Sequence, residues 1–279
     1  MSRDPGAVQW VGNVGWRQNE QTYDAVRFKS NLGHDSLVAQ YIFGWENNRI
    51  FGDQGPAARR DFGMRTHLIN VTYAHAEPLK VTGFAYLIDA NDPFAANSSH
   101  TYGFRALGTL PVSDTWNANY EASWAYQRDA ADNPVDYDAH YYHVMAGLGS
   151  SDLGKVAVGY EVLGSDNGQA QVVTPLSTAH KFNGFADAFL NNGGPRGLRD
   201  VYVSLAPALS IEGLTLKFIF HQFFSDQGGD NLGQEYNILA KYPCNKYVSL
   251  LYKFAYFDEG ESGAPESRMR NTLQTTFKF

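Results

Sequence analysis

Several features common in proteins are missing or scarce in this sequence of 279 residues, and each absence excludes a class of protein. The only cysteine is Cys244, so neither an intramolecular disulfide framework nor a cysteine-cluster metal site can form. No apolar run approaches the roughly 18 residues that a membrane-spanning helix requires, which excludes a helical membrane protein. The net charge of −7 argues against nucleic acid as a partner, because binding it requires a basic face.

Catalytic, metal-binding and targeting motifs are missing as well. There is no Gly-x-Ser-x-Gly, His-Glu-x-x-His or phosphate-loop motif, so the sequence indicates no enzyme class. The histidines are scattered, and the acidic groups in 129–138 and 258–261 match no defined calcium loop, so we expect neither a metal nor a cofactor. The N-terminus MSRDPGAVQW lacks a charged region followed by an apolar one, and hence a secretory signal.

What the sequence does contain is a hydrophobic pattern of period two. Between Trp116 and Gln127, aromatic and small apolar residues occupy the even positions, and mostly polar residues occupy the odd positions. Successive side chains of a strand point to opposite faces, so this pattern predicts a strand with one apolar and one polar face. The mean hydropathy of −0.37 then averages two different faces and does not by itself indicate a soluble protein.

The same alternation recurs along the whole chain and predicts thirteen strands. Many of them reach the roughly 9–11 residues that cross a bilayer, which is longer than the usual soluble strand. We therefore predict an all-β fold, an antiparallel up-and-down transmembrane β-barrel. The predicted strands are 22–30, 36–45, 64–75, 79–89, 100–110, 114–127, 138–149, 154–164, 198–206, 213–225, 233–242, 246–257 and 269–279.

The predicted connections alternate strictly between short and long. Short ones such as 76–78 and 243–245 alternate with long ones such as 46–63 and 165–197. Outer-membrane barrels have short periplasmic turns and long extracellular loops, so the pattern predicts a protein of the bacterial outer membrane, with one domain over 1–279. The expected partners are outer-membrane lipid, lipopolysaccharide and the barrel-assembly machinery, which would recognise the last strand through Phe279.

The predicted strand count is odd, whereas single-chain bacterial barrels have an even number of strands and both termini in the periplasm. If Phe279 lies on the periplasmic side, the first predicted strand starts on the extracellular side. We therefore expect at least one N-terminal strand to be missing, and the chain to be the C-terminal part of a longer barrel.

Four segments carry a resemblance to a known family. They are 12–27 (GNVGWRQNEQTYDAVR), 48–52 (NRIFG), 159–166 (GYEVLGSD) and 174–187 (TPLSTAHKFNGFAD). In these segments the chain resembles the alginate-export family of outer-membrane proteins, from about Gly12 to the C-terminus. The resemblance implies a monomeric barrel with more strands than this chain supplies, and a basic constriction that passes a polyuronate.

The alternation also predicts which charged side chains face the lumen, because lysine or arginine on the lipid face would cost roughly 2–4 kcal/mol. Basic groups in a narrow pore favour anions, and arginine pairs bidentately with carboxylates. Alternatively, the basic groups pair with lumen acids and merely solvate a wide pore. The predicted pore-lining residues are Arg17, Arg27, Lys29, Arg105, Glu121, Glu161, Asp200, Lys217, Lys241 and Lys253.

The longest predicted loop, 165–197, either folds into the pore or lies over it as a lid. It contains a candidate short helix with Ser177 or Thr178 as its N-cap, ending at the sequence Asn-Asn-Gly-Gly of 191–194. The candidate constriction residues in this loop are His180, Lys181, Asn183 and Asp187.

The favoured function is an outer-membrane channel for an anionic polysaccharide or oligosaccharide. A general small-solute porin would have the same architecture. An outer-membrane barrel enzyme would need a converging Ser/His or Asp/His set, and the sequence reveals none. A soluble β protein that binds carbohydrate is a fourth hypothesis, and its extraction into buffer without detergent would support it.

Overall fold

The computed structural model describes residues 10–15, 19–56, 59–76, 78–180, 182–190, 194–261 and 263–279. These residues form a sheet of 13 antiparallel strands in sequence order, so the predicted all-β meander is confirmed. The strands of this sheet are β1 (Thr22–Ser30), β2 (Leu37–Asn48), β3 (Phe62–Ala76), β4 (Leu79–Ala90), β5 (Ser99–Pro111), β6 (Trp116–Asp129), β7 (Asp138–Ser150), β8 (Gly154–Leu163), β11 (Leu198–Pro207), β12 (Thr215–Phe224), β13 (Asn231–Pro243), β14 (Val248–Glu259) and β15 (Arg268–Phe277).

Three short elements lie outside the main sheet. Strands β9 (Ser165–Asp166) and β10 (Ala170–Gln171) form a two-stranded ribbon in the connection between β8 and β11, and Ala95–Asn97 forms one 3-10 turn. No helix in the described part of the chain is long and apolar enough to cross a membrane.

The two faces of the main sheet differ in polarity, as the alternation predicts. Large apolar side chains on the outward face are strongly exposed, for example Phe28 at 61%, Val158 at 51% and Leu273 at 77%. On the inward face, Glu161 and Asp200 are 6% and 2% exposed. An apolar outer face combined with a polar inner face is the arrangement that a strand in contact with lipid requires.

The buried core lies on the inner face, near the end of the sheet where the long connections are. Leu163, Leu198, Phe223 and Phe257 are fully buried there. They pack with residues of the connection 164–197, namely Val172, Ala186 and Phe189. The core is therefore formed between the inner face and this connection.

One feature of the predicted connections does not hold in the structure. The connection 208–214 at the short-turn end is as long as the connection 225–230 at the opposite end, so the alternation of lengths is not strict. The reason is that β12 begins at Thr215 and β13 begins at Asn231, which lengthens the turn and shortens the loop relative to the prediction. Strands β1 and β15 lie at the two edges of the sheet, and no described strand pairs with their outer edges.

The predicted short helix in the long loop is wrong. The described residues between Thr174 and Leu190 contain turns and bends but no helix. Ala179, Asn183, Gly184 and Asp187 have φ values of 55°, 53°, 88° and 58°, in the left-handed region. Four residues with left-handed φ values within nine positions cannot belong to a right-handed helix. Contacts with the inner face hold these conformations in place.

Two strand glycines provide a test of the sheet packing. A Cβ atom at Gly108 would lie 1.4 Å from the carbonyl oxygen of Pro78, whereas a Cβ atom at Gly83 would meet nothing within 4 Å. We expect Gly108→Ala to lower the free energy of unfolding by about 1–3 kcal/mol, because a backbone contact cannot yield easily. Gly83→Ala should change it by about 0.5 kcal/mol or less. Guanidinium unfolding in detergent micelles measures both, and equal effects would contradict this packing.

Candidate functional site

A cavity of about 370 Å³ lies against the inner face of the sheet. Inward-facing residues of β2 to β8, β11 and β12 form its wall. Trp10, Val11 and residues 182–185 also line it, so two segments outside the strands enter the space within the sheet. The residues that define the chemistry of this cavity therefore come from strands and loops together.

A compact ion pair occupies one side of the cavity wall. The Arg105 guanidinium donates from Nε and Nη2 to the two carboxylate oxygens of Glu121, at 2.7 and 2.8 Å. The His143 Nδ1 atom lies 3.3 Å from the same carboxylate. Because both charged side chains are about 85% shielded from water, the pair is a fixed part of the wall, and Glu121 neutralises the charge of Arg105.

A second group of carboxylates lies on β8 and β11, where Glu161 and Asp200 are directly opposite each other in the register. The Tyr141 hydroxyl donates to Glu161 at 2.7 Å, and His221 Nδ1 lies 2.9 Å from both Asp200 oxygens. The Asn183 side-chain amide, from the long connection, donates to Glu161 at 2.8 Å and to Asp200 at 3.3 Å. One loop residue thus bridges two buried carboxylates of the wall.

A glycine allows the two groups to connect. A Cβ atom at Gly159 would lie 2.2 Å from the ring of Tyr202, so only glycine lets this ring lie across β8. In this position the Tyr202 hydroxyl is 3.0 Å from His143 Nε2. The hydrogen bonds of the first group thus extend from Arg105 on β5 to Tyr202 on β11, and the Tyr202 ring contacts the His221 ring of the second group, with the ring centres 5.7 Å apart.

The backbone of the long connection is also held by the wall. The Ala186 N–H donates to Glu235 at 2.9 Å, and the Phe185 N–H donates to Asn237 Oδ1 at 3.1 Å. Gly184 has a φ of 88°, and a Cβ atom there would lie 2.4 Å from the Glu235 carboxyl group. Side chains of β13 therefore fix the loop where it enters the space within the sheet.

A third cluster joins the loop to β14 and β15. His180 Nδ1 lies 2.5 Å from Asp187 Oδ1, and His180 Nε2 lies 3.2 Å from Lys253 Nζ. Asp187 also forms an ion pair with Arg270. The Lys253 ammonium lies 4.7 Å from the centre of the Phe185 ring, which places it over the aromatic face. We call His180, Asp187, Lys253 and Arg270 the basic-side cluster.

The ionisation of two loop groups follows from this arrangement. Burial lowers the pKa of the His180 imidazole, in spite of the nearby Asp187 carboxylate. Burial opposes ionisation of Asp187, but the hydrogen bond with His180 and the charge of Arg270 hold the pKa of Asp187 below its usual range. These directions describe a neutral imidazole beside an ionised carboxylate near pH 7.

The segment 10–15 also packs on the long connection. The Trp10 ring meets Tyr141 edge-on, with the ring centres 5.2 Å apart. The Gly12 N–H donates to the Leu176 carbonyl at 2.8 Å, and the Tyr23 hydroxyl is 2.9 Å from that same carbonyl. The Gln21 side chain also donates to it, at 3.2 Å. The segment therefore stabilises the loop within the sheet.

The structure brings together only some of the residues that the sequence indicates for the pore. Arg105, Glu121, Glu161, Asp200 and Lys217 line the cavity, and so does Asn183 from the loop. Lys253, His180 and Asp187 form the basic-side cluster. Arg27, Lys29 and Lys241 are exposed and do not line the cavity. Arg17 and Lys181 lie outside the described residues.

Sequence reasoning missed several residues of the wall. Tyr141, His143, Tyr202 and His221 line the cavity, and Arg270 joins the basic-side cluster. The four wall residues lie on the same strand faces as Glu121, Glu161, Asp200 and Lys217, so strand parity would have found them. Trp10 could not be found in this way, because it lies outside the strands.

Comparisons with known proteins identify the fold. No protein-family profile and no curated protein matches the chain. The structure of OccK5 (OpdH) from Pseudomonas aeruginosa matches with a TM-score of 0.71 at 13% identity, over 100% of this chain and 76% of that chain. The outer membrane protein OprD of the same organism matches with 0.71 at 12% identity, over 96% and 72%. Its OpdK, solved with vanillate, matches with 0.68 at 13% identity, over 92% and 68%.

The resemblance to the alginate-export family is therefore corrected. The similar solved structures belong to the OprD and Occ group, and no family profile supports alginate export. The residues that carried the resemblance have structural roles here. Gly12, Gln21 and Tyr23 hold the Leu176 carbonyl, and Asn183 bridges two wall carboxylates, so these contacts position the loop without specifying a polymer.

Two ion pairs lie on opposite faces of the sheet and differ in burial. The exposed Arg65–Asp89 pair has the same 2.8 Å contact as Arg105–Glu121, but the Arg65 side chain is 76% exposed. We expect Arg105→Met to lower the free energy of unfolding by about 3 kcal/mol, because it leaves a shielded carboxylate without its cation. Arg65→Met should cost about 1 kcal/mol at most. Guanidinium unfolding in micelles measures both, and similar losses would exclude a structural role for the buried pair.

Proposed function

We propose that this protein is an outer-membrane porin that passes small solutes. The single observation that carries the proposal is the two-faced sheet, whose outer face is apolar and whose inner face carries charged and polar side chains along a cavity of about 370 Å³. An apolar belt of this kind suits lipid contact, and a polar interior suits a solute in water. The fold shared with OprD and the Occ proteins supports the same function.

The size of the cavity favours a small solute over a polymer. Pockets of roughly 300–1,000 Å³ hold single small molecules in proteins. A polysaccharide would need a continuous open path, whereas Phe182, Asn183 and Phe185 stand in the lumen of this structure. In this proposal the outward face contacts outer-membrane lipid and lipopolysaccharide, and the barrel-assembly machinery recognises the last strand through Phe279.

The charges of the lumen support a preference among small solutes. Arg105 is neutralised by Glu121, so it adds little to anion attraction. Lys217 lines the cavity and forms no ion pair with the residues that the structure describes. Glu161 and Asp200 line the cavity too, but they already accept hydrogen bonds from Tyr141 and Asn183. Lys217 is therefore the group that we propose to attract a small anion such as an aromatic carboxylate, and OpdK was solved with vanillate.

A size limit is the first expected property. Liposomes containing the purified protein should swell in isotonic solutions of monosaccharides or amino acids. They should swell little in oligosaccharides of several rings, because the loop residues in the lumen block longer molecules. Protein-free liposomes are the control. Equal swelling rates with monosaccharides and long oligosaccharides would contradict the proposed size limit.

The effect of the Lys217 charge on ion selection is the second expected property. In a planar bilayer with a KCl gradient, Lys217→Gln should lower the permeability ratio of chloride to potassium by up to about fivefold, because a unit charge at contact distance in water is worth about 1 kcal/mol. Lys246→Gln is the matched control, since Lys246 lies in the exposed turn between β13 and β14. An unchanged ratio in Lys217→Gln would exclude this lysine from ion selection.

A further inference from the structure

We propose that residues 182–190 of the connection between β8 and β11 form a gate, that the basic-side cluster holds them in the lumen, and that protonation of His180 releases them. The proposal rests on the proposed porin function, because a gate requires a channel. It concerns a contact between the loop and β14–β15 that has no part in forming the cavity wall described above.

The positions of the hydrogen atoms in the cluster determine the tautomer of His180. A lysine ammonium can only donate hydrogen bonds, so at 3.2 Å from Lys253 Nζ the His180 Nε2 atom must accept. A neutral imidazole with an accepting Nε2 carries its proton on Nδ1 and donates it to Asp187. The cluster thus accommodates one tautomer of neutral histidine.

Protonation of His180 disrupts this arrangement of hydrogen bonds. A second proton on Nε2 would place an N–H donor opposite the Lys253 ammonium, so that two donors and two positive charges would face each other at 3.2 Å. Among the described residues, the charged groups that face His180 are Asp187 from its own loop, Lys253 from β14 and Arg270 from β15. Asp187 pairs with Arg270 as well as with His180, so its carboxylate is already shared between two partners.

The loop is sensitive to such a change because its conformation depends on contacts with the wall. His180 is 2% exposed and Asp187 forms the ion pair with Arg270, so a charged imidazole cannot be hydrated without moving the loop. Two further anchors of the loop use carboxylates as acceptors, namely Glu161 and Asp200 for Asn183 and Glu235 for Ala186, whereas the Phe185 N–H donates to the Asn237 amide.

The position of the gate explains its effect. Phe182, Asn183 and Phe185 line the cavity, so their withdrawal widens the lumen. The low pKa that burial gives His180 means that the gate stays shut near neutral pH. Its contribution to closure is present while the imidazole is neutral, and it is lost as the pH falls through the pKa of His180 in the closed state.

The test is the single-channel conductance of the purified protein in planar bilayers at about pH 7.5 and about pH 4, because burial lowers the pKa of His180 below the ordinary histidine value of roughly 6.5. The wild-type protein should conduct weakly at the higher pH and strongly at the lower. His180→Asn keeps an amide that can donate to Asp187 but cannot gain a proton, so the rise should be lost. His180→Lys carries a permanent charge and should conduct strongly at both pH values.

Other histidines serve as controls. His140→Asn should retain the rise, because among the described residues the His140 ring contacts Trp124, Tyr126 and Tyr142 on the outer face, away from the loop. A rise that persists in His180→Asn, or disappears in His221→Gln but not in His180→Asn, would overturn the proposal. Heat-dependent mobility in detergent gels establishes that each variant is folded.

The result that would overturn the gate proposal can be distinguished from the result that would overturn the porin proposal. A wild-type protein that conducts equally at both pH values would be a porin without this gate. A folded protein that conducts at neither pH, even as His180→Lys, would overturn both proposals.

Discussion

Buried carboxylates on the inner face are the constraint on which the rest of the structure depends. Glu161, Asp200 and Glu235 are 6%, 2% and 0% exposed, and a buried acidic group needs donors. Neighbouring strands supply some of them, through Tyr141 and His221. The remaining donors come from the long connection, through the Asn183 amide and the Ala186 N–H. Satisfying the wall therefore draws the loop into the sheet.

The loop in turn determines the size and chemistry of the lumen. Its entry leaves a cavity of about 370 Å³, and its apolar residues pack against Phe223 and Phe257 of the wall. The buried carboxylates of β8 and β11 and the basic-side cluster on β14 and β15 lie on different parts of the wall, and the loop contacts both. A change in either contact affects the loop, so the two contact sites are physically coupled through it.

The strands were predictable because each residue of a strand has one of two environments. No strand boundary differs from its prediction by more than three residues, and Trp116–Asp129 is the clearest case. The loop was predicted wrongly, since Phe182, Phe185 and Phe189 have a helical spacing but Asn183 and Asp187 adopt left-handed conformations. The segments that resembled alginate-export proteins were also misleading, because their residues are needed for contacts within the fold. Gly12 and Tyr23 are needed for a contact with Leu176, and such a contact can occur in barrels of different function.

The sequence by itself determined the all-β class, the strands and the face on which Glu121, Glu161, Asp200 and Lys217 lie, because a period of two is a local property of the chain. Only the tertiary structure decided which of these groups meet. Arg105 and Glu121 are 16 residues apart, His180 and Lys253 are 73 apart, and Arg270 and Asp187 are 83 apart. Such contacts depend on strand register and on the path of a long connection, and neither is encoded in the spacing of any one segment.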